Sequence, residues 1–188
     1  MIETERLILR PFQEVDAEAV FDYVNLQTIH CFEDMKFSSL EDARKEVLRR
    51  KEEEPEYYLA ICLKETGKVI GEVCSHAEQI SPNDNNLDTH SPCWMLHSNY
   101  QGKGYAYEAV YAYYDFLFNK KNVRRIYAYT EDYNFSCQKL CEKLGMRKEG
   151  LFKAFVSFVN NPDGTPLYEN TFQYAILKDE WEKVLNRK

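Results

Sequence analysis

The run Gln101-Gly102-Lys103-Gly104-Tyr105-Ala106 sets two glycines and an alanine where a loop turns into a helix. Backbone N–H groups at a helix start have no partner inside the helix, and the helix dipole adds positive potential there. With side chains missing, an anion can approach those amides, so the turn can cradle a pyrophosphate. Glycines serving turn geometry alone would read the same. The run completes neither a dinucleotide fingerprint nor a Walker loop. A second reactive position is Cys137: with Asn134 as N-cap it falls in the first helical turn, where free amides favour a thiolate. A small packed thiol is the other reading. The four histidines (30, 76, 90 and 97) make no pair at metal-ligand helical spacing, and the six cysteines include no Cys-x-x-Cys, so no metal is expected.

These residues need elements to position them. Leu7-Ile8-Leu9-Arg10-Pro11-Phe12 is a short strand stopped by proline. Asp16 can cap a helix with Ala17, Val20, Phe21 and Val24 on one face, and Ser39 opens a second helix that must end before Pro55. Strand-like runs 57–63 and 68–74 flank Glu65-Thr66-Gly67, a hairpin signal. Ser81-Pro82-Asn83-Asp84-Asn85-Asn86 is a turn-rich loop, and Pro92 to His97 a strand running into the glycine turn. Ala106, Ala109, Val110, Tyr113, Phe116 and Leu117 then keep a helical period. Arg125 to Thr130 is a strand, and the helix after Asn134 ends at Gly145. Two strands near 152–159 and 169–177 and a short helix capped by Asp179 complete a single mixed α/β domain, 1–188.

Composition narrows the function. With 188 residues, 44% hydrophobic and 14% aromatic, the chain can bury a core without staples. Its 24 basic and 31 acidic side chains leave a net charge of -7, which argues against a nucleic-acid partner and suits a cationic one. The apolar stretch Ala106 to Phe118 is broken by Glu108 and Asp115, so no membrane span is expected. The start Met1-Ile2-Glu3-Thr4-Glu5-Arg6 lacks the pattern of a signal peptide, and unpaired cysteines suit the cytoplasm.

Gln101-x-x-Gly104-x-Ala106 resembles the Q/R-x-x-G-x-G/A motif of the GNAT superfamily of acyl-CoA-dependent N-acetyltransferases. Asn134-Phe135-Ser136-Cys137 followed by Glu142-Lys143-Leu144-Gly145-Met146 resembles its N-x-x-S and E-K-x-G-F signature. Thr4-Glu5-Arg6-Leu7 at the start and Phe172-Gln173-Tyr174-Ala175 near the end resemble the RimJ/RimL-type branch. The resemblance implies a mixed, mostly antiparallel sheet of about six or seven strands, with helices on both faces and a splayed central strand pair. It implies acetyl-CoA as co-substrate and a primary amine as acceptor, with a protein N-terminus first and an aminoglycoside or polyamine second. Pantetheine would pair with the backbone of Trp94, Met95, Leu96 and His97, and pyrophosphate would lie on Gln101, Gly102, Lys103, Gly104, Tyr105 and Ala106. Asn134 and Cys137 would touch the pantetheine arm, and Lys143 would join a basic set around the phosphates. A homodimer is compatible with the resemblance, and the acceptor pocket would be built by variable segments near 25–38, 78–91 and 160–167.

Cys137 stands where the family pattern has serine, Cys141 where many relatives place a tyrosine that protonates the leaving thiolate, and Ser91 where many have a glutamate. The proton donor is therefore open: water, Cys137, or none specific. Glu72 and His76 are equal candidates for the base, with His97 behind them; Glu72 also reads as an outward-facing strand acid, and His76 as a loop-edge histidine. A non-catalytic acyl-CoA-binding module is the alternative these departures leave.

Overall fold

A computed structural model describes residues 1–53, 55–79, 83 and 87–186. Eight strands run in the order β1-β2-β3-β4-β5-β6-β8-β7. They are β1 (Ile2–Glu3), β2 (Leu7–Pro11), β3 (Tyr58–Leu63), β4 (Val69–Glu78), β5 (Thr89–Leu96), β6 (Arg125–Glu131), β7 (Arg147–Val156) and β8 (Glu169–Leu177). Five α-helices connect them: α1 (Ala17–Asn25), α2 (Leu40–Glu53), α3 (Tyr105–Asn119), α4 (Phe135–Lys143) and α5 (Lys178–Leu185). The sheet is mixed and mostly antiparallel, one strand richer than the resemblance implies. Its parallel pair is β5 with β6, joined at Thr89↔Arg125 and His90↔Ile126.

The chain divides into two compact units. The first comprises Met1–Thr28, Asp34–Ser75 and Cys93–Phe116. Its core includes Leu9, Val20, Val47, Ile61, Val73 and Val110, none more than 1% exposed. The 65–67 hairpin forms as the sequence indicates: Gly67 takes φ of +69° and its N–H donates to Leu63 O at 2.8 Å. β3 is buried on both faces, which is why its apolar run does not alternate.

The second unit comprises Ile29–Glu33, His76–Pro92 and Leu117–Lys188. Ile126, Leu144, Tyr174, Ile176 and Trp181 form its core, with Phe118 stacked on Trp181 at 5.9 Å. Gly145 ends α4 at φ of +82°, where a Cβ would meet Val184 at 2.6 Å, so glycine is required by both backbone and packing.

Several boundaries differ from the sequence expectation. β4 runs on to Glu78 and β5 starts at Thr89, so strand reaches into both ends of the segment 78–91. The 81–86 turn lies, apart from Asn83, outside the described residues. Asp16 occupies the α1 N-cap position but makes no cap bond; its carboxylate takes Arg10 at 2.7 and 2.8 Å and the Gln13 N–H at 2.7 Å. Asp179 sits inside the first turn of α5, whose cap bond runs instead from Leu177 N–H to Glu180 at 2.8 Å. β7 begins at Arg147, five residues before the expected strand, because its side chains are exposed and carry no apolar period.

Candidate active site

β5 delivers the chain through a 3-10 turn, Ser98–Tyr100, into the glycine run. Gly102 and Gly104 adopt φ of +72° and +83°, a region that costs other L-residues about 1 kcal/mol or more. The first intrahelical bond of α3 goes from Glu108 N–H to Gly104 O at 3.1 Å. The Tyr105, Ala106 and Tyr107 amides lie ahead of it, at the positive end of a 15-residue helix. Gly102, Lys103 and Gly104 are exposed around them. A bare, glycine-lined turn at the N-terminus of a 15-residue helix fits a phosphate chain.

The N-terminal signature holds this turn in place. Arg6 donates to Lys103 O at 3.1 Å, pairs with Glu108 at 2.7 Å and lies 4.4 Å over the Tyr105 ring. Glu108 also accepts from Thr4 Oγ1 at 2.6 Å and from Arg6 N–H at 2.7 Å. Burial works against its charge, but these donors prevail and hold its carboxyl below the usual range. The sequence did not reveal that Thr4 and Arg6 reach this turn, since Glu108 is about a hundred residues away.

The neighbouring strand is partly committed already. His97 N–H donates to Ile70 O at 2.9 Å, while Leu96 O accepts from Gln27 Nε2 and Gln101 Nε2, both at 3.2 Å. Gln101 therefore braces the turn against β5. Met95 is buried and Trp94 half-buried. Gly71 brings the β4 backbone close to Met95, for a Cβ there would sit 2.1 Å from Met95 O.

Two of the three base candidates are engaged. Glu72 is 1% exposed, inside a buried network with Arg50 and the Tyr23 hydroxyl. Its other oxygen has no hydrogen-bond partner, and burial, then the neighbouring carboxylate, pushes the Tyr23 hydroxyl well up. The burial corrects the expectation of an outward-facing strand acid. His97 spends both ring nitrogens: Nε2 lies 3.0 Å from Asp22 and Nδ1 accepts from Asn99 N–H at 3.1 Å. His76 is exposed near the end of β4. Burial first, then the charge of His76, lowers the pKa of His90 on β5.

In the second unit, Asn134 caps α4 and accepts from Cys137 N–H at 3.2 Å. Cys137 is half-buried, and the buried Cys141 thiol donates to it one helical turn on. That bond lowers the Cys137 pKa and, with burial, raises that of Cys141. Lys143 lies exposed in the last turn of α4, about 13 Å along the axis from Asn134. There it faces the negative end of the helix dipole and is not beside the cap. Ahead of the cap, Tyr133 donates to both oxygens of Glu169, at 3.3 and 3.2 Å, and Glu169 holds His30 Nδ1. Burial, and next to it Glu131, drive the Cys31 thiol up. Among the described residues no group of three His, Cys, Asp or Glu could hold a metal ion, and no helix is long and apolar enough to cross a membrane.

Comparison with known proteins accords with this geometry. The model of the acetyltransferase (GNAT) domain matches residues 6–147. The chain is 30% identical over 180 residues to the uncharacterised N-acetyltransferase YnaD of Bacillus subtilis, covering 96% of this chain and 98% of that one. A GNAT-family acetyltransferase from Bacillus anthracis superposes with a TM-score of 0.80 at 26% identity, over 95% of this chain and 98% of that one. The ribosomal-protein-S5-alanine acetyltransferase of Vibrio fischeri shares the fold, with a TM-score of 0.72 at 23% identity over 95% and 97% of the two chains. The chain thus belongs to the GNAT family of N-acetyltransferases, acyltransferases that use acetyl-CoA as co-substrate.

Proposed function

We propose that this enzyme acetylates a primary amine by direct transfer from acetyl-CoA, with a protein N-terminus as the first acceptor class, in the RimJ/RimL-type branch. The glycine turn of 101–106, braced by Arg6 at the start of α3, is the observation that carries the reading. Pyrophosphate lies on the amides of residues 102–106, and Asn134 and Cys137 meet the pantetheine arm. Acetyl-CoA supplies an activated acetyl group as a thioester. The protein's residues bind it, orient the amine and move protons. Chain-long coverage of the YnaD relative supports reading 1–188 as one domain of this kind. A net charge of -7 supports a cationic acceptor, with polyamines and aminoglycosides as the second class. Six unpaired cysteines support a cytoplasmic setting.

The test is isothermal titration with CoA, followed by an acetyl-CoA assay over peptides with free N-termini, spermidine and an aminoglycoside. Micromolar CoA binding with turnover of a peptide N-terminus is expected. Tight CoA binding without turnover of any amine would leave only a binding module.

A further inference from the structure

We propose that His30, held by Glu169, is the general base that deprotonates the acceptor amine; the inference rests on the acetyl-transfer reading above. His30 opens the 3-10 turn His30–Met35, and Glu169 opens β8, 139 residues later. The two side chains meet through His30 Nδ1 and Glu169 Oε1. This pairing fixes the proton on Nδ1 and leaves Nε2 as the acceptor atom. Nε2 has no hydrogen-bond partner among the described residues, and the His30 side chain is 37% exposed. The Glu169 side chain is only 6% exposed, and among the described residues no Lys or Arg pairs with it. Glu72 is the opposite case, since Arg50 already neutralises it.

The surroundings are organised for this role. Tyr133 donates to both Glu169 oxygens and sets its ring edge against the imidazole at 5.8 Å, fixing the dyad's orientation. Tyr133 immediately precedes Asn134, whose helix carries Cys137. Other titrating groups here are Cys31 and Glu33 on the same turn, Glu131 at the end of β6, and Cys137 on α4. Asp132 is occupied, accepting from Asn170 at 2.8 Å. None of these carries positive charge, so an ammonium acceptor is attracted.

The proton balance is simple. The acceptor ammonium gives one proton to His30 Nε2, and Glu169 stabilises the imidazolium through Nδ1. The freed amine lone pair attacks the thioester carbonyl; a C–N bond forms, the C–S bond breaks, and its electron pair leaves on sulfur. The nitrogen's surplus proton passes to the thiolate, and His30 returns its proton to water. An N-acetyl amine, a CoA thiol and one released proton result.

The full chain is assayed on the amine that the wild-type protein acetylates, with His30→Gln, His30→Ala and Glu169→Gln alongside. For both His30 variants, kcat/KM for the amine should fall about a hundredfold while CoA affinity holds. The acid limb of its pH profile should disappear, and added imidazole should restore part of the His30→Ala rate. Glu169→Gln should lower kcat/KM for the amine about tenfold while CoA affinity holds, because the Nδ1 proton loses the carboxylate that fixes it; a merely structural Glu169 would lower thermal stability and leave kcat/KM in place. An unaltered limb and rate in a CoA-binding His30→Gln protein would overturn the base assignment alone. Absence of turnover by wild type on every amine would overturn the acetyl-transfer reading, and the base with it. If His30→Ala loses CoA binding, His30→Gln carries the decision.

Discussion

A hydrogen bond from the Cys141 thiol lowers the pKa of Cys137, one helical turn away, and makes it the better acid of the two. On the proposed acetyl-transfer reading, such a thiol relays the nitrogen's surplus proton, giving its own proton to the departing CoA thiolate and regaining one from nitrogen. Cys137→Ala should then lower kcat by about tenfold to a hundredfold, with Cys137→Ser in between. Equal rates for the three proteins, with no acetyl or CoA adduct by intact mass, would reduce Cys137 to packing. Glu72 calls for a different readout. Glu72→Gln leaves buried Arg50 with Glu46, at 2.9 Å, as its remaining carboxylate partner, which costs about 3 kcal/mol in urea unfolding. The pH profile of amine acetylation should not move. A shifted profile in that variant would return Glu72 to the role of base.

At the level of elements, the glycine turn and the N-terminal strand act as one device. Gly104 has φ of +83°, and a Cβ there would lie 3.3 Å from Arg6 Nη2, so a side chain strains the backbone and presses on the brace together. Gly104→Val should weaken CoA binding at least tenfold, about 1.4 kcal/mol. A folded variant with wild-type CoA affinity would remove the turn from the cofactor site. Arg6→Ala frees the Lys103 carbonyl without touching the amides themselves. Its expected effect is milder: about fivefold in KM for acetyl-CoA, with kcat near wild type.

For the whole molecule, charge pairing sets the response to acid. Glu46, Glu108 and Glu149 all titrate below the ordinary glutamate value. Arg49 and Arg50 overcome burial at Glu46, and Arg125 leads at Glu149. A depressed folded pKa contributes stability that is present above the unfolded value and lost as pH falls through the folded one. Urea midpoints should therefore be insensitive to these groups between pH 6 and 8, then fall below about pH 4.3. Glu108→Gln should shed part of that acid dependence; an unchanged acid limb would show that its donors do not stabilise the fold.

The sequence by itself determined whatever is local in the chain. The 3.6-residue period of 106–117, the Asn134 cap, the Gly145 stop and the 65–67 turn each depend on neighbours within a few residues, and all are found as read. The glycine motif and the Asn134 segment were legible for the same reason, and they carried the family resemblance. Tertiary structure alone decided which polar groups meet. Glu72 reads as an exposed strand acid until Arg50, on a helix 22 residues earlier, covers it. His97 looks available until Asp22 and Asn99 take its two nitrogens. Asp16 had the residue type of a cap, yet Arg10 and the Gln13 amide claim its carboxylate. No spacing rule links His30 to Glu169, because their approach depends on where a 3-10 turn and a strand end arrive in one compact unit. Hydrogen bonds between distant side chains obey distance in space, and only the folded chain sets that distance.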